Sequence, residues 1–232
     1  MLEHIVETEP QQDTLTTRQR IVQTALALFN QQGERDISTN HIAAHLNISP
    51  GNLYYHFANK QAIVAELFSQ YEQLIAQFLQ RPTDRALTIA DKAVLLEAIL
   101  TALWRYRFFH RDMQHLLVAD VQLAERYRLL AQRCLADAKD LYQGFADAGI
   151  LQVDAAGIEA LVLNAWLLLT AWIPFVHSMQ APDAELTPAI LGRVIYQVLM
   201  LERDYISADA RPELALLLEK YHVPLSEVLP IY

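Results

Sequence analysis

The chain has 232 residues, a mass of 26.4 kDa and a formal charge of −9, with 53% of its residues apolar and 19% charged. That length holds one large domain or two modest ones, and the composition excludes a disordered chain. With 6 Gly and 9 Pro it is not collagen-like, linker-dominated or turn-rich all-β, and the single Cys134 closes no intramolecular disulfide, which reads as a reducing, cytoplasmic compartment.

Charge is uneven along the chain. Residues 1–13 carry −4, residues 14–60 carry +2 with three histidines, and residues 61–232 carry −7. A small, mildly basic unit therefore precedes a large acidic one, a balance compatible with a nucleic-acid partner.

Residues 1–13 read as a disordered N-terminal tail, with no positive start of a secretory signal and no Arg of a transit peptide. From Thr17 onward the apolar period is helical, and no segment alternates as a strand. Helix 18–32 places Ile21, Val22, Ala25, Leu28 and Phe29 on one stripe, with Thr17 as its cap and Gly33 as its stop. A short helix follows at 39–46, capped by Ser38, then a tight turn at Asn47-Ile48. Ser49 caps a second short helix that opens on Pro50, where a missing N–H costs nothing, and runs to about His56 or Phe57. Asn59 caps a longer helix over 60–79, and Pro82-Thr83-Asp84 marks a break. Further helices are predicted at about 90–109, 112–118, 122–147, 155–179, 187–205 and 211–221, with Gly149 and Pro182 as stops. The fold class is all-α: a small front bundle at 14–60 and a larger one at 61–232.

One stretch, 160–176, is interrupted only by Asn164, Thr170 and Pro174. A membrane span needs about 20 apolar residues, and Glu159 and His177 close this one. It reads as a helix buried in protein, with no membrane partner.

Function points to the two short helices. A helix-turn-helix needs a small residue facing its second helix, a turn residue tolerant of positive φ, and an apolar residue packing back. Ala43, Asn47 and Leu53 supply these, with Ile37, Ile42 and Ile48 inward. The second helix is a poor structural element, because Pro50, Gly51, Asn52, Tyr54, Tyr55 and His56 crowd its outer side and Gly51 costs about 1 kcal/mol against Ala. A small residue near the helix start suits insertion in a major groove, Asn52 can read adenine, and tyrosine hydroxyls and Lys60 can reach phosphates.

The blocks Thr39-Asn40-His41-Ile42-Ala43 and Leu53-Tyr54-Tyr55-His56-Phe57-Ala58-Asn59-Lys60, after a helix ending in Gly33, resemble the DNA-binding domain of the TetR/AcrR family of transcriptional regulators. The match covers about 50 residues; beyond it the chain is similar only in length and helical character. It departs at the turn, where Asn47 replaces the commoner Gly, and in having few basic residues. The resemblance implies a homodimer that binds a palindromic DNA operator, usually as a repressor, and releases it when a small molecule enters the C-terminal domain. Carried over, Thr39 and Asn40 contact DNA from the first short helix, Pro50, Gly51, Asn52, Tyr55 and His56 face bases or backbone from the second, and Tyr54 and Lys60 hold phosphates.

The effector pocket is assigned to Trp104, Phe108, His110, Met113, Asn164, Trp166, Trp172 and His177, which favour an apolar or aromatic ligand. The dimer interface is assigned to helices 155–179 and 187–205 through Leu161, Leu168, Leu169, Ile195, Val198 and Leu199; the competing reading covers these faces with the segment beyond 206. His41 and His45 lie four apart but find no third ligand, so no metal is expected, and the absence of nucleotide-loop and hydrolase motifs argues against an enzyme or a cofactor. The competing functional classes are a helical binding protein whose helix-turn-helix does not touch DNA, and a membrane-associated protein built on 160–176.

Overall fold

The computed structural model describes residues 15–82, 84–180 and 186–229. The expected tail at 1–13 and the stop at Pro182 lie outside the described residues. Helix α1 spans Thr17–Gln32, and its cap is Thr16, one residue before the one expected, in a reciprocal box with Gln19. Gly33 ends it at φ 94°. Helices α2 (Thr39–His45) and α3 (Pro50–His56) start at Ser38 and Ser49, whose hydroxyls accept from His41 N and Asn52 N. Between them Asn47 stands at φ 53°, the left-handed geometry that Asn tolerates. Asn59 caps α4 (Lys60–Phe78) by accepting from Ala62 N at 2.8 Å. Ile21, Ala25 and Phe29 of α1, Ile42 and Ala43 of α2, Leu53 of α3, and Ile63 and Leu67 of α4 form the buried centre of this front unit.

Helix α5 (Ile89–Arg105) stops earlier than periodicity suggests, and α6 (Arg107–Ala119) is longer than the expected short piece. The corner at Tyr106 contains neither Gly nor Pro. It is held from a distance: Asn30 at the end of α1 donates to Arg105 O at 2.9 Å and accepts from Phe108 N at 3.1 Å. One amide thus satisfies an orphan carbonyl of α5 and an orphan N–H of α6. Arg111 of α6 returns the contact, donating to Phe29 O and Asn30 O at the end of α1.

The back of the molecule is built from α7 (Val121–Asp147), α8 (Ala155–Met179) and α9 (Pro188–Glu202). Residues 203–205, expected inside α9, tighten into a 3₁₀ turn, and α10 (Arg211–Tyr221) and α11 (Leu225–Val228) follow. Helix α9 lies between α8, α10 and α5. Leu191, Val194, Ile195, Val198 and Leu199 are all buried there, and Leu214, Tyr221 and Val228 of the C-terminal segment close over the core. That packing encloses most of the residues assigned to the dimer face within their own chain. Ile195, Val198 and Leu199 are enclosed by their own chain, as are Leu161 and Leu169, while Leu168 is half-buried against the core.

By length and composition α8 is apolar enough to cross a membrane, with a mean hydropathy of 1.6 over its most apolar window. Its Ile158, Val162, Ala165, Trp172 and Val176 pack into the protein core. An outer line, stepping by four residues through Leu163, Leu167, Ala171, Phe175 and Met179, stays exposed.

Candidate nucleic-acid interface and internal cavity

Helix α3 has a single buried residue, Leu53, which anchors it to the front unit, with Phe57 buried just beyond its end. Everything else faces outward. Pro50, Gly51, Asn52 and Tyr54 are exposed, and Tyr55 is 85% exposed with its ring set edge-on against His56 at 5.1 Å. A Cβ added to Gly51 would meet nothing nearer than Ser49 Oγ at 3.9 Å, so the fold itself does not demand glycine there. Asn40 is exposed on α2, and Thr39 Oγ1 lies 3.0 Å from Tyr54 Oη, tying the two short helices together at their outer surface. The surface therefore carries amide, hydroxyl and imidazole groups on an exposed helix of about two turns. Those groups can donate to phosphates and read base edges.

Lys60 is placed differently from the rest of this set. Its ammonium donates to Glu34 O at 2.9 Å and lies 2.8 Å from Glu34 Oε1, so its charge is already matched inside the protein. It can offer a phosphate only its remaining donor capacity. Arg18 is also engaged: it donates to His56 O at the end of α3 and to Glu66, and its guanidinium lies 4.1 Å above the Phe57 ring. This arginine pins α3 to α1 and α4, a role that sequence spacing did not reveal. His41, weighed as a metal ligand, instead accepts from Ser38 N through Nδ1 and completes the box that starts α2.

The back of the molecule encloses an apolar cavity of about 80 Å³, several times what one water needs. Helix α4 contributes Tyr71 and Ile75, α5 contributes Lys92 and Leu96, and α7 contributes Tyr127 and Cys134. Of the eight residues assigned to a pocket, His110 and Trp166 line this space. The other six lie off it, for separate reasons. Phe108 is fully buried between Phe29 and Phe109, at the contact of α1 with α6. Trp172 turns to α9, where its indole N–H donates to Ile190 O at 3.1 Å. Trp104 packs under Arg107, Met113 is half-buried against the core, and Asn164 and His177 are exposed on α8.

Polar groups among the described wall residues are few, and Lys92 is the charged one. His110 Nε2 lies 3.2 Å from Tyr71 Oη, and burial pushes the imidazole down to about 4. Burial also raises the Tyr71 phenol and lifts the Cys134 thiol to about 11. Lys92 Nζ sits 2.8 Å from Glu202 Oε2, both side chains almost wholly enclosed, and the Tyr142 hydroxyl donates to Glu202 Oε1. The ammonium is further covered by the rings of Tyr142 at 4.0 Å and Phe145 at 4.6 Å.

Comparison with known proteins matches both halves. Residues 21–67 fit the family model for bacterial regulatory proteins of the tetR family, and residues 70–214 fit the TetR model, a bacterial transcriptional repressor. A solved TetR-family transcriptional regulator from Marinobacter aquaeolei VT8 is 44% identical, covering 90% of this chain and 100% of that one, with a TM-score of 0.84. The transcriptional repressor KstR2 of Rhodococcus jostii is 27% identical over 67% of this chain and 76% of its own length. The regulator AcrR of Shigella flexneri is 35% identical over 28% of this chain and 31% of its own length. Other curated relatives are matched over 28% and 52% of their length.

Proposed function

This chain belongs to the TetR family of bacterial transcriptional regulators, and on that premise we propose that it is a cytoplasmic homodimeric repressor released from a palindromic operator by a small apolar effector. The observation that carries this reading is the outward set Asn52, Tyr54 and Tyr55 on a helix that buries only Leu53. A strut inside a bundle has no use for a tyrosine with 85% of its surface in solvent. Asn52, Tyr55 and His56 face bases or backbone, Thr39, Asn40 and Tyr54 hold the flanking phosphates, and Pro50 and Gly51 let the helix start approach the groove. Lys60 adds its remaining donor capacity to a phosphate while it braces Glu34.

Two copies of α3 must stand about 34–36 Å apart to enter successive major grooves, which requires a dimer. The exposed line Leu163, Leu167, Phe175 and Met179 on α8 is the apolar surface that a two-fold partner covers. The enclosed cavity is the effector site. Its wall includes Tyr71 and Ile75 of α4, the helix whose first turn carries Lys60, so one rigid element touches both sites. An effector that prefers a wider cavity favours a different reader spacing, by as much as its affinity differs between the two states.

The test is selection of bound fragments from the source genome with the full chain, followed by gel-shift titration at several salt concentrations. Sequence-selective retention at a palindrome supports the reading. Equal retention of all sequences, or none, overturns it.

A further inference from the structure

The cavity wall is specific about charge. Among its described lining residues Lys92 alone carries a full charge, and Glu202 already matches it at 2.8 Å, with side-chain exposures of 2% and 1%. A carboxylate entering the cavity must displace Glu202 and leave that group buried without its counter-charge. An amine entering it meets no carboxylate among the described wall residues. Either outcome strands a charge in an apolar enclosure, which costs several kcal/mol.

Of the lining groups that can hydrogen-bond, Tyr71 and Tyr142 are already paired, Tyr127 and Trp166 are only half-buried, and His110 is enclosed. Thr170 Oγ1 donates to Trp166 O at 2.7 Å and has only acceptor capacity left. His110 is 92% buried and uses Nε2 toward Tyr71, which leaves Nδ1 as the ring's second hydrogen-bonding atom. In one tautomer Nδ1–H donates to a carbonyl or ether; in the other Nδ1 accepts from a hydroxyl.

We infer that the cavity selects an uncharged, mainly apolar molecule carrying one hydroxyl or carbonyl, which bonds to His110, and that it rejects carboxylates and amines of the same shape. This inference rests on the reading of the cavity as the effector site.

The probes are benzene, phenol, benzoate and benzylammonium, single-ring molecules matched to a cavity of this size, titrated calorimetrically into the full chain at pH 7. Phenol is expected to bind tightest, with both ions at least about 100-fold weaker, the factor that about 3 kcal/mol of stranded charge gives. His110→Phe should weaken phenol about fivefold to tenfold, the worth of one neutral hydrogen bond, and change benzene binding far less. Glu202→Gln, which leaves Lys92 without its counter-charge, should gain benzoate affinity at least tenfold. Benzoate or the ammonium binding the unaltered chain as well as phenol overturns the inference and leaves the effector cavity standing. No binding of any probe, benzene included, overturns both. Phenol binding that survives Ala165→Phe, which fills the cavity from α8, places the molecule elsewhere and also overturns the inference.

Discussion

Glu34 is held by Lys60 on one side and approached by His115 on the other: Oε1 lies 2.8 Å from Lys60 Nζ, and Oε2 lies 3.8 Å from His115 Nε2. Glu34 is buried, and its Oε2 has no hydrogen-bond donor among the described residues. Removing the lysine charge leaves a buried carboxylate without compensation. Lys60→Met is therefore expected to lower unfolding stability by about 2 kcal/mol, less than a fully enclosed pair because Lys60 reaches solvent. The double variant with Glu34→Gln should recover most of that loss in urea denaturation. If Lys60→Met unfolds at the same urea concentration as the parent, the ion pair is not a structural brace.

Base reading should separate from this bracing. Asn52→Ala touches no buried contact, so its thermal unfolding should be unchanged. On the selected operator it should cost about 1–3 kcal/mol of discrimination, and on unrelated duplexes almost nothing. Gel-shift titrations on both duplexes read the difference. Equal losses on the two would assign Asn52 to the backbone.

His110 gives the chain an acid limit of its own. Burial holds the folded imidazole down at about 4 against an ordinary 6.5, so the unfolded chain takes up the proton first as pH falls. The stability contributed by the neutral, buried ring is complete above pH 6.5 and drains away between pH 6.5 and about 4. At pH 5 the loss amounts to about 2 kcal/mol. Chemical denaturation at pH 7.5 and pH 5 should show a smaller drop for His110→Phe than for the parent, by about that amount. Parallel pH profiles would show that the ring protonates freely in the folded state.

The exposed line on α8 makes a prediction about assembly. Leu163→Glu combined with Leu167→Glu should yield a folded monomer by light scattering, because both side chains are about half in solvent. Val198→Asp places a charge in the enclosed face of α9 and should abolish folding altogether. A double α8 variant that stays dimeric at micromolar concentration would move the interface to another face.

Local chemistry explains what could be read in advance. Ser38, Ser49 and Asn59 cap the next helix through their own side chains, and Asn47 turns because its own backbone tolerates positive φ. Such features reside within a few residues and leave a signature in the sequence. The corner at Tyr106 does not, because Asn30 makes it from 75 residues away. Lys60 looked like a free phosphate ligand for the same reason: its acceptor, Glu34, comes from a loop that only the fold brings near. The apolar face of α9 carried a real signal, but its period could not tell a partner subunit from α10 of the same chain. The cavity was half legible: aromatic composition marked the right domain, and His110 and Trp166 lie on it, but which ring turns inward is decided by helix rotation.

Helix α4 runs unbroken over 19 residues, and no Pro or Gly interrupts it. At 1.5 Å per residue it is a rod of about 28 Å, with Tyr71 and Ile75 toward one end and Lys60 at the other. Tilting such a rod by about 5° around its cavity end swings the far tip by roughly 2 Å. Displacements too small to disturb side-chain packing at the fulcrum are thus magnified along a stiff lever to the scale on which a groove accepts or refuses a helix.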